Sequence, residues 1–186
     1  MQVKAQGLLN AAKYIEETYG QNALAGILRA ASPGVRETYT SAIAINWHPL
    51  DELCELVDLA ESRLGDGSGS IAKAIGAAGA SANLNSMLNR AAFYVGKPSF
   101  FMSRIASLWS QFNDEGSMHL LEMTTQRATI EVRDIVQPRA TFCHILTGWA
   151  EEVGRTLGAA NVSARHVECR ARGQARCVWD VNGKFG

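Results

Sequence analysis

A chain of 186 residues is about one domain's length and can bury a core of its own. Apolar residues make up 47% and charged residues 19%, and 18 Lys plus Arg balance 18 Asp plus Glu, which excludes an electrostatic pull toward nucleic acid or anionic lipid. No apolar run approaches the ~18–20 residues that cross a bilayer, and the opening MQVKAQGLL lacks a signal-peptide core. Four cysteines in such a chain are expected to be reduced thiols in a cytoplasmic protein.

Helical periodicity dominates the first two thirds. Leu8, Leu9, Ala12, Ile15 and Tyr19 share one face of a first helix that Gly20 can stop. Leu24, Ile27 and Leu28 make a short second helix, ending before Ser32-Pro33-Gly34, and a third covers 34–42. Stretch 44–50 is turn-like, with Pro49 placed at the first position of the next helix. That helix carries an apolar stripe of Leu50, Leu53, Cys54, Leu56, Val57, Ala60 and Leu64. The run 66–70 breaks it, and Ser68 or Ser70 can cap the next helix. Segment 71–96 is dense in Ala, Gly and Ser between 72 and 82, which predicts close packing at the centre or at a subunit contact. Pro98 opens a sixth helix with Phe101, Ile105, Leu108, Trp109 and Phe112.

After Gly116 the period changes. Stretches 117–125 and 128–135 read as a β-hairpin around Gln126-Arg127. A helix over 139–157 then carries Phe142, Ile145, Leu146, Trp149, Val153 and Leu157, and Gly158 ends it. In the last stretch Cys169 and Cys177 flank Arg172-Gly173-Gln174, with Cys177, Trp179 and Val181 alternating after the turn. Pairing symmetric about Gly173 sets the two cysteines opposite each other, with Cβ atoms about 4.5–5.5 Å apart. They then form a packed pair, a disulfide or half of a metal site. The order predicts one α+β domain over 1–186, helical to about 115 and α/β from about 116. Its N-terminal helices pack on a roughly four-stranded antiparallel sheet, with one late helix between two hairpins.

This order and its punctuation resemble the fold shared by heme-nitric-oxide-binding (H-NOX) domains and 4-vinyl-reductase-type domains. The likeness runs from Gly7-Leu8-Leu9 through Tyr19-Gly20 to Ser62-Arg63-Leu64-Gly65. More narrowly, the chain is similar to an uncharacterised group of that fold known from myxobacteria and related predatory bacteria. The features shared with it are Leu108-Trp109 followed by Glu115-Gly116, Gly148-Trp149 in the late helix, and the Cys-Arg-Ala-Arg-Gly…Cys stretch over 169–177. In related sensor domains of aromatic-responsive transcription activators, zinc is held by a cysteine early in the late helix, an acidic residue and two hairpin cysteines. The resemblance maps those positions by spacing onto Cys143, His166, Cys169 and Cys177, with histidine in place of the acid. Three thiolates and one imidazole are a competent tetrahedral zinc set. On a regular strand, however, His166 and Cys169 point to opposite faces, and a bulge near Arg165 would be needed to bring them together. Glu168 is the alternative fourth ligand. The competing reading makes the cysteines small buried hydrophobes and His166 a surface residue; Cys54, on an apolar stripe, reads as core.

Heme is not expected. H-NOX domains use a histidine on the helix before the first hairpin and a Tyr-x-Ser-x-Arg motif. Here that helix offers Ser107-Leu108-Trp109-Ser110, the motif is absent, and His48 and His119 read as surface or turn residues. No Walker or Rossmann loop, Gly-x-Ser-x-Gly elbow or His-Glu-x-x-His occurs, so an enzyme is not expected, and Asp51, Glu52, Glu55, Glu151 and Glu152 read as solvated carboxylates. Related domains hold apolar, aromatic or acyl molecules between helices and sheet. That implies a pocket among Trp47, Phe93, Tyr94, Phe100, Phe101, Ile105, Trp109 and Phe112, although aromatics at helical spacing also read as plain core. The resulting expectation is a non-enzymatic small-molecule binding or sensing module with a structural zinc site. It would form a homodimer and act through a partner protein. The alternative is a dimeric scaffold with a filled core, whose Ala/Gly/Ser helix makes the dimer contact through Ala72 and Gly76.

Overall fold

The computed structural model describes residues 1–88 and 105–185. Helix α1 (Gln6–Tyr19) buries Leu8, Ala11, Ala12 and Ile15, a 3–4 spacing that keeps one face apolar. Gly20, at φ 88, ends it and opens α2 (Gln21–Ala30), which buries Leu24 and Ile27. Helix α3 (Pro33–Ser41) starts as its sequence dictates: Ser32 Oγ accepts the Val35 N–H at 3.4 Å and Pro33 occupies the first turn.

Stretch 44–50 departs from the expected turn. Trp47–Pro49 is a short strand, β2, paired antiparallel with β1 (Gln2–Lys4). Pro49 is therefore the extended residue before α4 (Leu50–Leu64), not its first helical residue. Three residues are too few to display a period of two, which is why this ribbon is invisible in the sequence. The apolar stripe of α4 is buried from Leu50 to Ala60.

Helix α5 spans Ser70–Leu88. Neither Ser68 nor Ser70 caps it. The Glu61 carboxylate of α4 instead accepts the N–H groups of Gly69 at 3.2 Å and Ile71 at 3.0 Å, placing an anion at the positive end of the helix. After the undescribed segment 89–104 comes α6 (Ile105–Phe112), which buries Ile105, Leu108 and Trp109. The expected start of that helix at Pro98, and Phe93, Tyr94, Phe100 and Phe101, lie outside the described residues.

Strands β3 (Ser117–Met123), β4 (Arg127–Arg133), β5 (Ala160–Glu168) and β6 (Cys177–Lys184) form an antiparallel sheet in the order β3-β4-β6-β5. Its inner face aligns Ile130 with Trp179 and Ala128 with Val181 across the central pair. Onto that face packs α7 (Ala140–Thr156), where Thr147 meets Trp179 and Gly154 lies against Val162 and Val181. Helix α5 packs on α7, with α1 and α4 beyond, so the layers run sheet, α7, α5, N-terminal helices. This is the expected α+β arrangement of helices on a four-stranded antiparallel sheet, with the late helix between two hairpins.

The small-residue run of α5 meets α7 within the chain. A Cβ on Gly76 would lie 1.9 Å from the Ile145 carbonyl oxygen, and one on Gly148 would lie 1.7 Å from that of Lys73. The two backbones therefore touch without intervening side chains. Ala72 and Gly76 are buried here, which corrects their reading as a dimer surface.

Candidate metal centre and helix-lined cavity

The terminal hairpin turns through a 3-10 segment, Arg170–Arg172, closed by Gly173 in the left-handed region at φ 84. The Arg172 and Gln174 N–H groups both donate to the Cys169 carbonyl, at 3.0 and 3.1 Å. Along β5 the register runs His166 to Trp179, then jumps to Glu168 opposite Val178. Val167 is the extra residue, so the bulge falls two positions after Arg165, where it was expected. Its effect is a change of parity. Ala164 and His166 face the helix side before it, and Cys169 faces that side after it. The hairpin thus turns His166, Cys169 and Cys177 toward the first turn of α7, where Cys143 sits.

The ligand atoms of Cys143, His166, Cys169 and Cys177 all lie within 4.8 Å of one another. Cys143 Sγ is 3.9 Å from Cys169 Sγ, close to the sulfur–sulfur edge of about 3.7 Å in a tetrahedron with ~2.3 Å zinc–sulfur bonds. The three cysteines are buried, and all four cysteines of the chain are free thiols. His166 Nε2 is buried without a hydrogen-bond partner, a polar atom left unsatisfied among thiols. The His166 ring stacks on Trp179 with centroids 4.1 Å apart and planes 3° apart. Trp179 Nε1 donates to Thr147 Oγ1 at 3.0 Å, and Thr147 donates to the Cys143 carbonyl at 2.8 Å. A continuous shell therefore orients two of the four candidate ligands.

Crowding polarises the thiols. A hydrogen bond from Cys143 lowers the Cys177 pKa, helped by His166 and the Arg170 N–H and opposed by burial. The same bond, together with burial and the neighbouring thiols, raises that of Cys143. A divalent cation reverses such opposition by stabilising every thiolate at once. Two other candidates are not part of the cluster. Glu168 faces outward and pairs with Arg176 at 2.9 and 3.0 Å. Cys54 is packed in α4, where burial pushes its thiol up to about 12.

A cavity of ≈ 120 Å³ lies on the other side of α7, bordered also by β1, α1, α4, α5, α6 and β3. Of the expected aromatic lining, Trp109 and Phe112 border it. Ile105 is buried but is not in the lining. Trp47 is not in it either: its ring is part-exposed, with Lys4 Nζ 3.5 Å from its centroid. The wall residues missed from sequence include Asn10, Leu53, Ile75, Phe142 and Trp149, together with Gly7, Gly76 and Gly79. Glycines on the facing sides of α1 and α5 leave room there. The small-residue run was the available signal.

No histidine stands at this cavity among the described residues. His48 bonds Thr38 at 2.9 Å, His119 bonds Ser117 at 2.8 Å, His144 is exposed beside Gly69, and His166 stands in the thiol cluster, so none of the four histidines borders the cavity. The volume also falls below the ~300–1,000 Å³ usual for larger ligands. Among the described residues no helix is long and apolar enough to cross a membrane.

No protein-family model matches the sequence, and no curated protein matches it. Solved structures do. An Fe(II) unliganded H-NOX protein from K. algicida is 12% identical at a TM-score of 0.73, with 98% of this chain and 97% of that one covered. An H-NOX protein from S. oneidensis in the Fe(II)NO ligation state gives 11% identity and a TM-score of 0.71, over 97% and 98% of the two chains. A third, from work probing heme distortion in the H-NOX family, gives 14% and 0.69 over 98% and 94%. From the β1–β2 ribbon to the cysteine-bearing hairpin, this chain has the fold of an H-NOX domain.

Proposed function

We propose that this chain is a heme-free small-molecule sensing module. In this reading a Cys₃His zinc, bound by Cys143, His166, Cys169 and Cys177, pins the terminal hairpin to α7. One observation carries it: α7 serves both sites. Phe142 and Leu146 line the cavity, while Cys143, between them in sequence, belongs to the thiol–imidazole cluster. A molecule that packs against Phe142 displaces the turn bearing Cys143, and a metal bond makes the hairpin follow. A protein partner, or a second copy of the chain, then reads the hairpin's position. The fold supports a sensing role, since one structure sharing it is an Fe(II)NO-ligated H-NOX protein. Zinc-bearing domains of the 4-vinyl-reductase type are the nearer chemical parallel, because the four ligands here suit zinc and the cavity does not suit heme. An apolar cavity with asparagines in its wall suits binding without catalysis, and four free thiols suit a cytoplasmic location.

Native mass spectrometry of protein purified without metal-affinity resin tests the reading. One zinc per chain is expected in the wild type, falling to near zero in Cys177→Ser. Metal-free wild type would remove the zinc centre from the proposal.

A further inference from the structure

The cavity wall is apolar except at a few points, and one of these is unsatisfied. Asn10, on α1, borders the cavity. Its Oδ1 accepts from Gln6 Nε2 at 3.4 Å, while its Nδ2 is buried with no hydrogen-bond partner. A buried donor without an acceptor is destabilising, and native proteins keep such groups chiefly where something else completes them. Asn113, also in the wall, donates its Nδ2 to the Trp109 carbonyl at 3.1 Å, and its Oδ1 is not within hydrogen-bond reach of Asn10 Nδ2. Lys4, the wall's cation, holds its Nζ over the Trp47 ring, so no free positive charge of Lys4 faces a ligand.

Resting on the reading of the cavity as a ligand site, we infer that it takes a neutral single-ring compound bearing one acceptor oxygen, and that Asn10 Nδ2 donates to that oxygen. Size and shape select the ring. A cavity of ≈ 120 Å³ is close to the ~150 Å³ engineered site that stays dry and admits benzene. It is too small for a tetrapyrrole or a long acyl chain. Trp109, Phe112, Phe142 and Trp149 supply aromatic faces and edges for the ring. The donor then sets orientation and specificity, since a site with one buried polar group discriminates most strongly against the analogue that leaves it unpaired.

Acetophenone and ethylbenzene, which differ in the carbonyl oxygen, are the probes for calorimetric titration of the full chain. Wild type is expected to bind acetophenone about tenfold more tightly than ethylbenzene. Asn10→Leu is expected to erase that preference while keeping zinc content and melting behaviour. If Asn10→Leu does not fold, Asn10→Asp replaces the donor with an acceptor of the same shape and should likewise lose the preference. Equal affinities for the two probes in wild type would overturn the acceptor inference, with Nδ2 completed by a trapped water, yet would leave the cavity a ligand site. Binding of neither probe would overturn both.

Discussion

At Glu151 a single carboxylate ties α7 to the sheet edge. It accepts the Ala164 N–H at 2.9 Å and pairs with Lys73 at 2.7 Å and Arg155 at 3.1 Å. Burial raises its pKa, but these three donors outweigh burial and the net shift is downward. A depressed folded value means that the contribution to stability is complete above the ordinary carboxylate range. It is lost as pH falls through the lower folded value. Wild type should therefore exceed Glu151→Gln in stability at neutral pH, and the difference should shrink below about pH 4; urea midpoints across pH check this. From sequence the carboxylate reads as solvated, because nothing local reveals that β5 passes over it. The grouping of Cys143, His166, Cys169 and Cys177, by contrast, comes from the resemblance to zinc-bearing sensor domains, and the fold brings the ligand atoms of those four side chains within 4.8 Å of one another. The bulge that aligns them follows from parity, and only its position, at Val167, needs coordinates. Asn10 is not legible. Its missing partner is a property of three-dimensional surroundings, and one polar residue on an amphipathic helix looks like any other.

At the level of elements, the long periodic helices are legible and the short ribbon is not. Helix α4 shows its buried stripe over 15 residues, enough for period to decide. The cap of α5 by Glu61 escapes sequence reading for a related reason: the capping group comes from another helix, and Ser68 and Ser70 are nearer in sequence. The α5–α7 contact is half legible. Density of small residues predicts close approach, but not whether the neighbour is another helix or another chain. Gly76→Ala should cost about 1–3 kcal/mol or more, because the added methyl meets the Ile145 carbonyl rather than a side chain that can move. Gly79→Ala, with nothing within 4 Å of its Cβ, should instead stabilise by up to about 1 kcal/mol through helix propensity. Because Gly79 borders the cavity, the same substitution should also weaken small-molecule binding. Denaturant midpoints for both variants, and titration of the second, check these outcomes.

For the whole molecule, the fold is legible because the order of helices and hairpins constrains topology more than any single residue does. The occupant of the fold is not. One structure with the same architecture comes from work on heme distortion, and the described residues here gather a thiol–imidazole cluster on the opposite side of α7. If both sites bind, they are linked through that helix, and linkage is reciprocal. Chelation should lower the melting temperature by releasing hairpin from helix. It should also weaken a cavity ligand by the factor by which that ligand tightens zinc. Parallel titrations with and without chelator measure both sides of the cycle, and unequal factors would show that the sites do not share one equilibrium.

The bare backbone approach of Gly76 to Ile145 and of Gly148 to Lys73 limits how such a helix can move. Where the two helices meet through peptide groups, no side chain can repack at the point of touch. A displaced α7 is therefore expected to rock about that point, within the reach of the Lys73–Glu151 and Ser81–Glu152 contacts beside it. That fulcrum divides α7 into two arms. One carries Cys143 toward His166 and Cys169; the other carries Glu151, bonded to the Ala164 N–H. Both arms hold the same edge of the sheet. Under the proposed sensing function, a small push on the Phe142 arm would reach β5 and its hairpin as a tilt.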